Sequence, residues 1–165
     1  MKNKKGFTLI EIIIVLALIS IIVCLSMINI QSFNGLTVRI EIEKLYATCF
    51  YLQQKALSSQ TKQVLKFDLH KGAYTYDNHY EELSSKVIYG FIDGVKGPPS
   101  SPQEVIGKKS SFDNDQIVFY PDGIIQSGAL YLTDVNKKTL YALTSGVGKI
   151  SFLRKYRYDG SWHLI

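Results

Sequence analysis

The chain has 165 residues, 46% of them hydrophobic, and a formal charge of +5, a length suited to one folded domain. Lys2, Lys4 and Lys5 supply three of those charges and leave +2 for the rest, which is ordinary for a soluble domain. Cys24 and Cys49 exclude a disulfide framework: on one continuous helix they stand about 37 Å apart, beyond disulfide reach, and both read as small buried hydrophobes.

Between Gly6 and Val38 the only charged side chain is Glu11. The run from Phe7 to Ile30 is otherwise Ile, Leu, Val, Phe, Ala, Met and Cys with a few small or polar residues. As a helix it reaches roughly 36 Å, enough to cross a hydrocarbon core about 30 Å thick. The lysines before it, and the absence of charge beyond it until Arg39, orient the N-terminus to the cytoplasm and the rest of the chain outside. A cleavable secretory signal fits poorly, because its apolar core spans only about 7–15 residues and ends in a small-x-small site. A plain uncleaved anchor needs only the helix and the lysines. It leaves Glu11 unexplained, at an insertion cost of about 2.5–3.5 kcal/mol.

The stretch KKGFTLIE, Lys4 to Glu11, closely resembles the class III signal of type IV pilins and of the pseudopilins of type II secretion systems. That resemblance implies a cut by prepilin peptidase between Gly6 and Phe7 on the cytoplasmic side, followed by N-methylation of Phe7. Residues 1–6 are then the leader and 7–30 the transmembrane and filament-core helix. It further implies that Glu11 serves assembly, its partner in the filament being the N-terminal amine of a neighbouring subunit about one helical turn away. Before assembly the alternatives are the subunit's own amine or the lipid headgroup layer. A dry ion pair of this kind penalises loss of either member, because the other charge is left uncompensated.

Past Gly35 the pattern becomes apolar on one side: Ile42, Leu45, Cys49, Leu52 and Ala56 recur at intervals of three or four, with Glu41, Glu43, Lys44, Gln53 and Lys55 between them. This predicts an amphipathic extension over residues 31–62, continuous with the first helix or separated from it by a turn. FNG, Phe33 to Gly35, is the expected weak point.

Residues 63–165 read as an extracytoplasmic antiparallel β domain, two sheets packed against the helix, giving an α+β fold. VLKFDLH (Val64 to His70) alternates, with Leu65, Phe67 and Leu69 on one side, and pairs through Lys71-Gly72 with AYTYDN as a hairpin. Further strands are expected in Val87–Ile92, Gln116–Tyr120, Ala129–Asp134, Thr139–Ser145 and Lys149–Tyr156, with turns at PDG (Pro121 to Gly123) and NKK (Asn136 to Lys138). The Gly-, Pro- and Ser-rich segment 93–115 reads as a long loop, either functional, as a subunit contact, or disordered. LQQKALSSQTKQVLKFD, IVFYPDGIIQSGALYLTD and YALTSGVGKISFLRKYRYDGSW resemble minor pseudopilins of the GspH/FimT type.

No catalytic motif emerges, and the chain reads as a structural protein with no cofactor or metal. His70, His79 and His163 lack zinc-ligand spacing. SGVGK has Leu143 where a phosphate loop needs glycine and Ile150 where it needs Ser or Thr, and DND (Asp113 to Asp115) lacks the remaining EF-hand positions. In the tail, Lys149, Arg154, Lys155 and Arg157 alternate with Phe152, Tyr156, Tyr158 and Trp162, a mixture suited to phosphate contact and base stacking. The resemblance thus implies a pseudopilus subunit that supports export from the inner membrane. Its expected partners are prepilin peptidase, other pilin or pseudopilin subunits, an inner-membrane assembly platform and, before assembly, membrane lipid. The alternative is a FimT-like minor type IV pilin that takes up DNA through its basic tail.

Overall fold

The computed structural model describes residues 8–29, 32–100, 102–146 and 151–165, and the side chains of these other than 25–29 and 32–34. It divides into two units, residues 1–33 and 34–165.

The first unit is helix α1, Leu9–Asn29. Its side chains are apolar all round and lie open, from Leu9 (78% exposed) to Val23 (48%). Cys24 is exposed with them, against the expectation of a buried thiol, because no element of this unit covers the helix. Among the described residues no helix is long and apolar enough to cross a membrane. The junction between α1 and α2, Ser32–Ser59, falls at residues 30 and 31 and lies outside the described residues, so the one-helix and two-helix readings are both left standing.

In the second unit α2 folds as its periodicity dictates. Val38, Ile42, Leu45, Cys49, Leu52 and Ala56 are all fully buried in one core. Gly35 is helical, and a Cβ there would lie 3.3 Å from Thr139 Oγ1, so its smallness serves a close helix–sheet approach. Glu41, expected among the polar positions, is buried; Lys44, one turn on, reaches its carboxylate at 3.2 Å.

The strands are β1 (Gln63–Asp68), β2 (Ala73–Tyr76), β3 (His79–Glu82), β4 (Val87–Tyr89), β5 (Gln116–Phe119), β6 (Gly128–Asp134), β7 (Leu140–Gly146), β8 (Phe152–Tyr158) and β9 (Trp162–Leu164). They form two antiparallel sheets, ordered β3-β2-β1-β5 and β4-β6-β7-β8-β9. With α2 packed on them the architecture is α+β, consistent with a pilin-like fold. The main core joins α2 to inward residues of both sheets, including Leu65 and Phe67 of β1, Leu130 and Leu132 of β6, and Leu143 of β7. β3 and β9 are additional strands, and the run expected from Val87 to Ile92 ends as a strand at Tyr89.

The segment 93–115 is neither an open loop nor irregular throughout. Lys96 bridges Val105, Gly97 N–H donates to the Glu104 carbonyl at 2.8 Å, and Ile106 N–H donates to that of Val95 at 3.0 Å, making a narrow strap. Val95 and Ile106 are buried with Ala129, Tyr131, Leu140, Ala142 and Tyr156, so the strap covers the face of β6–β8 turned away from the main core. Trp162 closes this second core: its ring centroid lies 5.2 Å from that of Tyr158 and 6.4 Å from those of Tyr131 and Tyr156. Its indole N–H donates to the Lys96 carbonyl at 2.9 Å. Further along, Phe112 packs so near β6 that a Cβ at Gly128 would sit 2.5 Å from its ring, a position only glycine fills without displacement.

Candidate functional site

Gly6 and Phe7, the expected processing pair, lie outside the described residues. Description begins at Thr8, and here the local sequence Thr-x-x-Glu builds a defined structure at the head of α1. Thr8 is the residue before the helix and Glu11 stands at its third position, the spacing of a capping box. The Thr8 backbone N–H donates to Glu11 Oε2 at 2.9 Å, and the Thr8 hydroxyl donates to the same oxygen at 3.0 Å. In return the Glu11 N–H reaches Thr8 Oγ1 at 3.4 Å. The first N–H groups of a helix have no partner within it, so these bonds satisfy donors that would otherwise face solvent or lipid. A carboxylate in the first turn also lies favourably along the helix dipole.

Glu11 was conspicuous in the sequence as a stray charge, whereas Thr8 was not singled out. The signal was available: a Thr followed three residues later by Glu, immediately before an apolar run, marks a helix start. Glu11 therefore has a partner within its own chain that is neither the terminal amine nor a lipid headgroup. Below this turn the described side chains of α1, Ile12 to Cys24, are apolar apart from Ser20, which returns its hydroxyl to the Leu16 carbonyl at 2.8 Å. Contiguous exposed apolar surface of this kind marks contact with lipid or with other proteins.

The second unit carries a smaller surface of the same character. Opposite its buried stripe, α2 exposes Leu36, Ile40, Ala47, Phe50 and Leu57. Their spacings of four, seven, three and seven keep them on one helix face.

Among the described residues the cations of the basic tail do not form one patch. Lys149 lies outside the described residues. Along β8, alternate side chains point to opposite faces. Arg154 goes with Phe152, over whose ring its guanidinium lies at 4.1 Å, and with Tyr156 on the strap side. Lys155 goes the other way, toward α2, where its ammonium donates to Glu43 and lies 4.6 Å from the centre of the Tyr46 ring. Arg157, two residues on, shares the Lys155 face and is exposed. Lys155 thus ties β8 to the helix, and Arg154 and Arg157 are displayed on opposite sides of the sheet.

The histidines are likewise dispersed. His70 follows β1, His79 begins β3 beside Tyr76, and His163 in β9 meets Asp159 at 2.9 Å. Among the described residues no group of three or more His, Cys, Asp or Glu side chains could hold a metal ion. Burial pushes the Cys49 thiol well above its ordinary range, which leaves it without nucleophilic character at neutral pH.

No curated protein and no solved structure matches the chain. Residues 1–23 match the family model described as the prokaryotic N-terminal methylation motif. That match supports a type IV pilin-like protein, structural rather than catalytic, processed by prepilin peptidase, anchored in a membrane and then assembled with other pilins into a filament.

Proposed function

We propose that the chain is a minor structural subunit of a type II secretion pseudopilus, of the GspH/FimT type, assembled through α1 to support protein export. The observation that carries this reading is the head of α1, where a carboxylate sits inside a capping box in the first turn of a helix whose described apolar side chains, from Leu9 to Val23, are exposed. The subunit is cut between Gly6 and Phe7, and Phe7 becomes the methylated first residue. Thr8 keeps its backbone N–H through that cut, so the cap survives processing. While the subunit waits in the inner membrane, Thr8 holds the Glu11 carboxylate. In the filament the same carboxylate takes the amine of a neighbouring Phe7, and the apolar sides of α1 exchange lipid for adjacent helices. The outward stripe of α2 lends a second helix surface to the same contacts.

In this reading residues 7–30 span the membrane with Lys2, Lys4 and Lys5 on the cytoplasmic side, and the β domain lies outside. The DNA-uptake alternative loses much of its footing, since Lys155 is engaged by Glu43 and Tyr46 while Arg154 and Arg157 face apart.

The test is the intact and N-terminal fragment mass of the full chain purified from membranes containing the processing peptidase, wild type against Gly6→Ala. A mature chain beginning at N-methyl Phe7, lost in the variant, is the expected result. A wild-type chain left uncut beside an active peptidase overturns the proposal. Co-purification with other pseudopilins, abolished by Glu11→Ala, then distinguishes filament assembly from processing alone.

A further inference from the structure

A cavity of about 460 Å³ opens where the β1–β2 turn, the β3–β4 connection and β4 meet. It belongs wholly to the second unit and owes nothing to the N-terminal helix. Its volume lies within the range of about 300–1,000 Å³ typical of small-molecule sites.

The lining has two distinct characters. Its apolar lining comes from Leu69 and Ile88, which are partly open, and from Leu83 and Val87, which belong to the buried main core. Around them stand three lysines from three separate segments: Lys71 from the β1–β2 turn, Lys109 from beyond the strap, and Lys137 from the β6–β7 turn. No Asp or Glu is among the lining residues, in a chain that has 14 of them. The cations are only lightly engaged. Lys109 Nζ donates one bond, at 3.3 Å, to the Leu69 carbonyl. Lys137 meets Asp93 at 3.6 Å, and that aspartate is itself 85% exposed. Ser84 and Ser85 add hydroxyl groups to the lining.

Of these three lysines Lys137 already has Asp93 and Lys71 lies within the field of Asp68, so the cations left most open to an incoming anion are Lys71 and Lys109. The apolar part disfavours a fully hydrated ion, because such an ion would leave Ile88, 37% exposed, and the partly buried Leu69 facing water. We infer that this cavity binds a small organic acid, with a compact apolar body over Leu69 and Ile88 and one carboxylate held by Lys71 and Lys109.

The probe is 4-phenylbutyrate, titrated into the full chain in lipid nanodiscs carrying methyl-labelled Ile, Leu and Val, with empty nanodiscs as the blank. Its neutral isostere 4-phenylbutanol and inorganic phosphate are titrated in parallel. The expected result is saturable shifts of the Leu69 and Ile88 methyl signals at millimolar acid, with Leu143 in the main core unmoved. The alcohol, lacking the charge-assisted bonds, binds about tenfold more weakly. Lys71→Gln with Lys109→Gln weakens the acid to a similar degree and leaves the alcohol unchanged. Absence of a saturable shift overturns the inference, as does equal affinity for acid and alcohol. Displacement of the acid by equimolar phosphate overturns the requirement for an apolar body. Should the double variant disturb the Leu143 signals, the single Lys71→Gln change at an exposed position supplies the same comparison.

Discussion

Trp162→Ala tests whether the strap is held to the sheet by a single residue of the short last strand. The indole is partly buried among Tyr131, Tyr156 and Tyr158 and bonds the Lys96 carbonyl at 2.9 Å. A fully buried aromatic truncated to Ala costs about 3–5 kcal/mol, and partial exposure at a sheet edge brings this to about 2–3 kcal/mol. Trp162→Phe keeps most of the ring and removes the N–H, at a cost of about 1 kcal/mol. For a chain of this size these losses lower the Tm by roughly 5–10 °C and roughly 3 °C respectively. The more specific readout is amide exchange. Gly97 and Ile106 donate the hydrogen bonds that close the strap on itself, and in Trp162→Ala their exchange accelerates by about 30-fold or more. Amides of β7, held between two paired neighbours, change only as far as global stability falls. If Gly97 and Ile106 keep the same protection relative to β7, Trp162 is ordinary edge packing and the latch reasoning fails.

Two further outcomes follow from hydrogen bonds described above. Thr8→Val removes the hydroxyl from the capping box at a cost of about 1 kcal/mol, so the amides of Leu9 to Ile12 exchange about fivefold faster in nanodiscs, whereas Thr8→Ser restores protection; equal behaviour of Val and Ser refutes the cap. Asp68 accepts the N–H groups of Lys71 and His70 at 3.0 and 3.2 Å in the β1–β2 turn. Those bonds, that of Lys71 foremost, hold its carboxyl below the usual range. Such a group contributes stability above its unfolded value of about 3.9, and the contribution fades as the pH falls through the lower folded value. The Tm difference between wild type and Asp68→Ala is therefore full near neutrality and closes in strong acid, and a difference that widens on acidification contradicts the assignment.

The parts of the fold that were legible from sequence are those with a long, regular period. The buried stripe of α2 and the alternation of Leu65 and Phe67 in β1 are set by which side chains must leave water, and the structure buries them accordingly. β3 gave no such signal, because His79, Tyr80, Glu81 and Glu82 are all exposed and the strand exists through its ladder with β2. The composition of segment 93–115 suggested a long loop, whereas two spaced residues, Val95 and Ile106, were enough to anchor it on a sheet face. Glu11 could be recognised from the cost of a charge in an apolar run. Its hydrogen-bond partner required attention to the helix start rather than to the charge. The basic tail shows the reverse failure: four cations close in sequence suggested one surface, whereas strand geometry sends Arg154 and Lys155 to opposite faces.

The double covering of the central strands carries a consequence for how this sequence can change over time. In β6, Ala129 to Asp134 are buried without interruption, and in β7 so are Leu140 to Ser145. An ordinary one-sided sheet leaves every second residue free to drift, but here neither face of these strands offers that freedom. Substitutions accepted during divergence should therefore gather in β3, in the exposed positions of β8 and in β9, while the two central strands hold their residues or change several together. A saturation library scored for folded protein would show this as two unbroken blocks of intolerance, each six residues long, flanked by permissive edges.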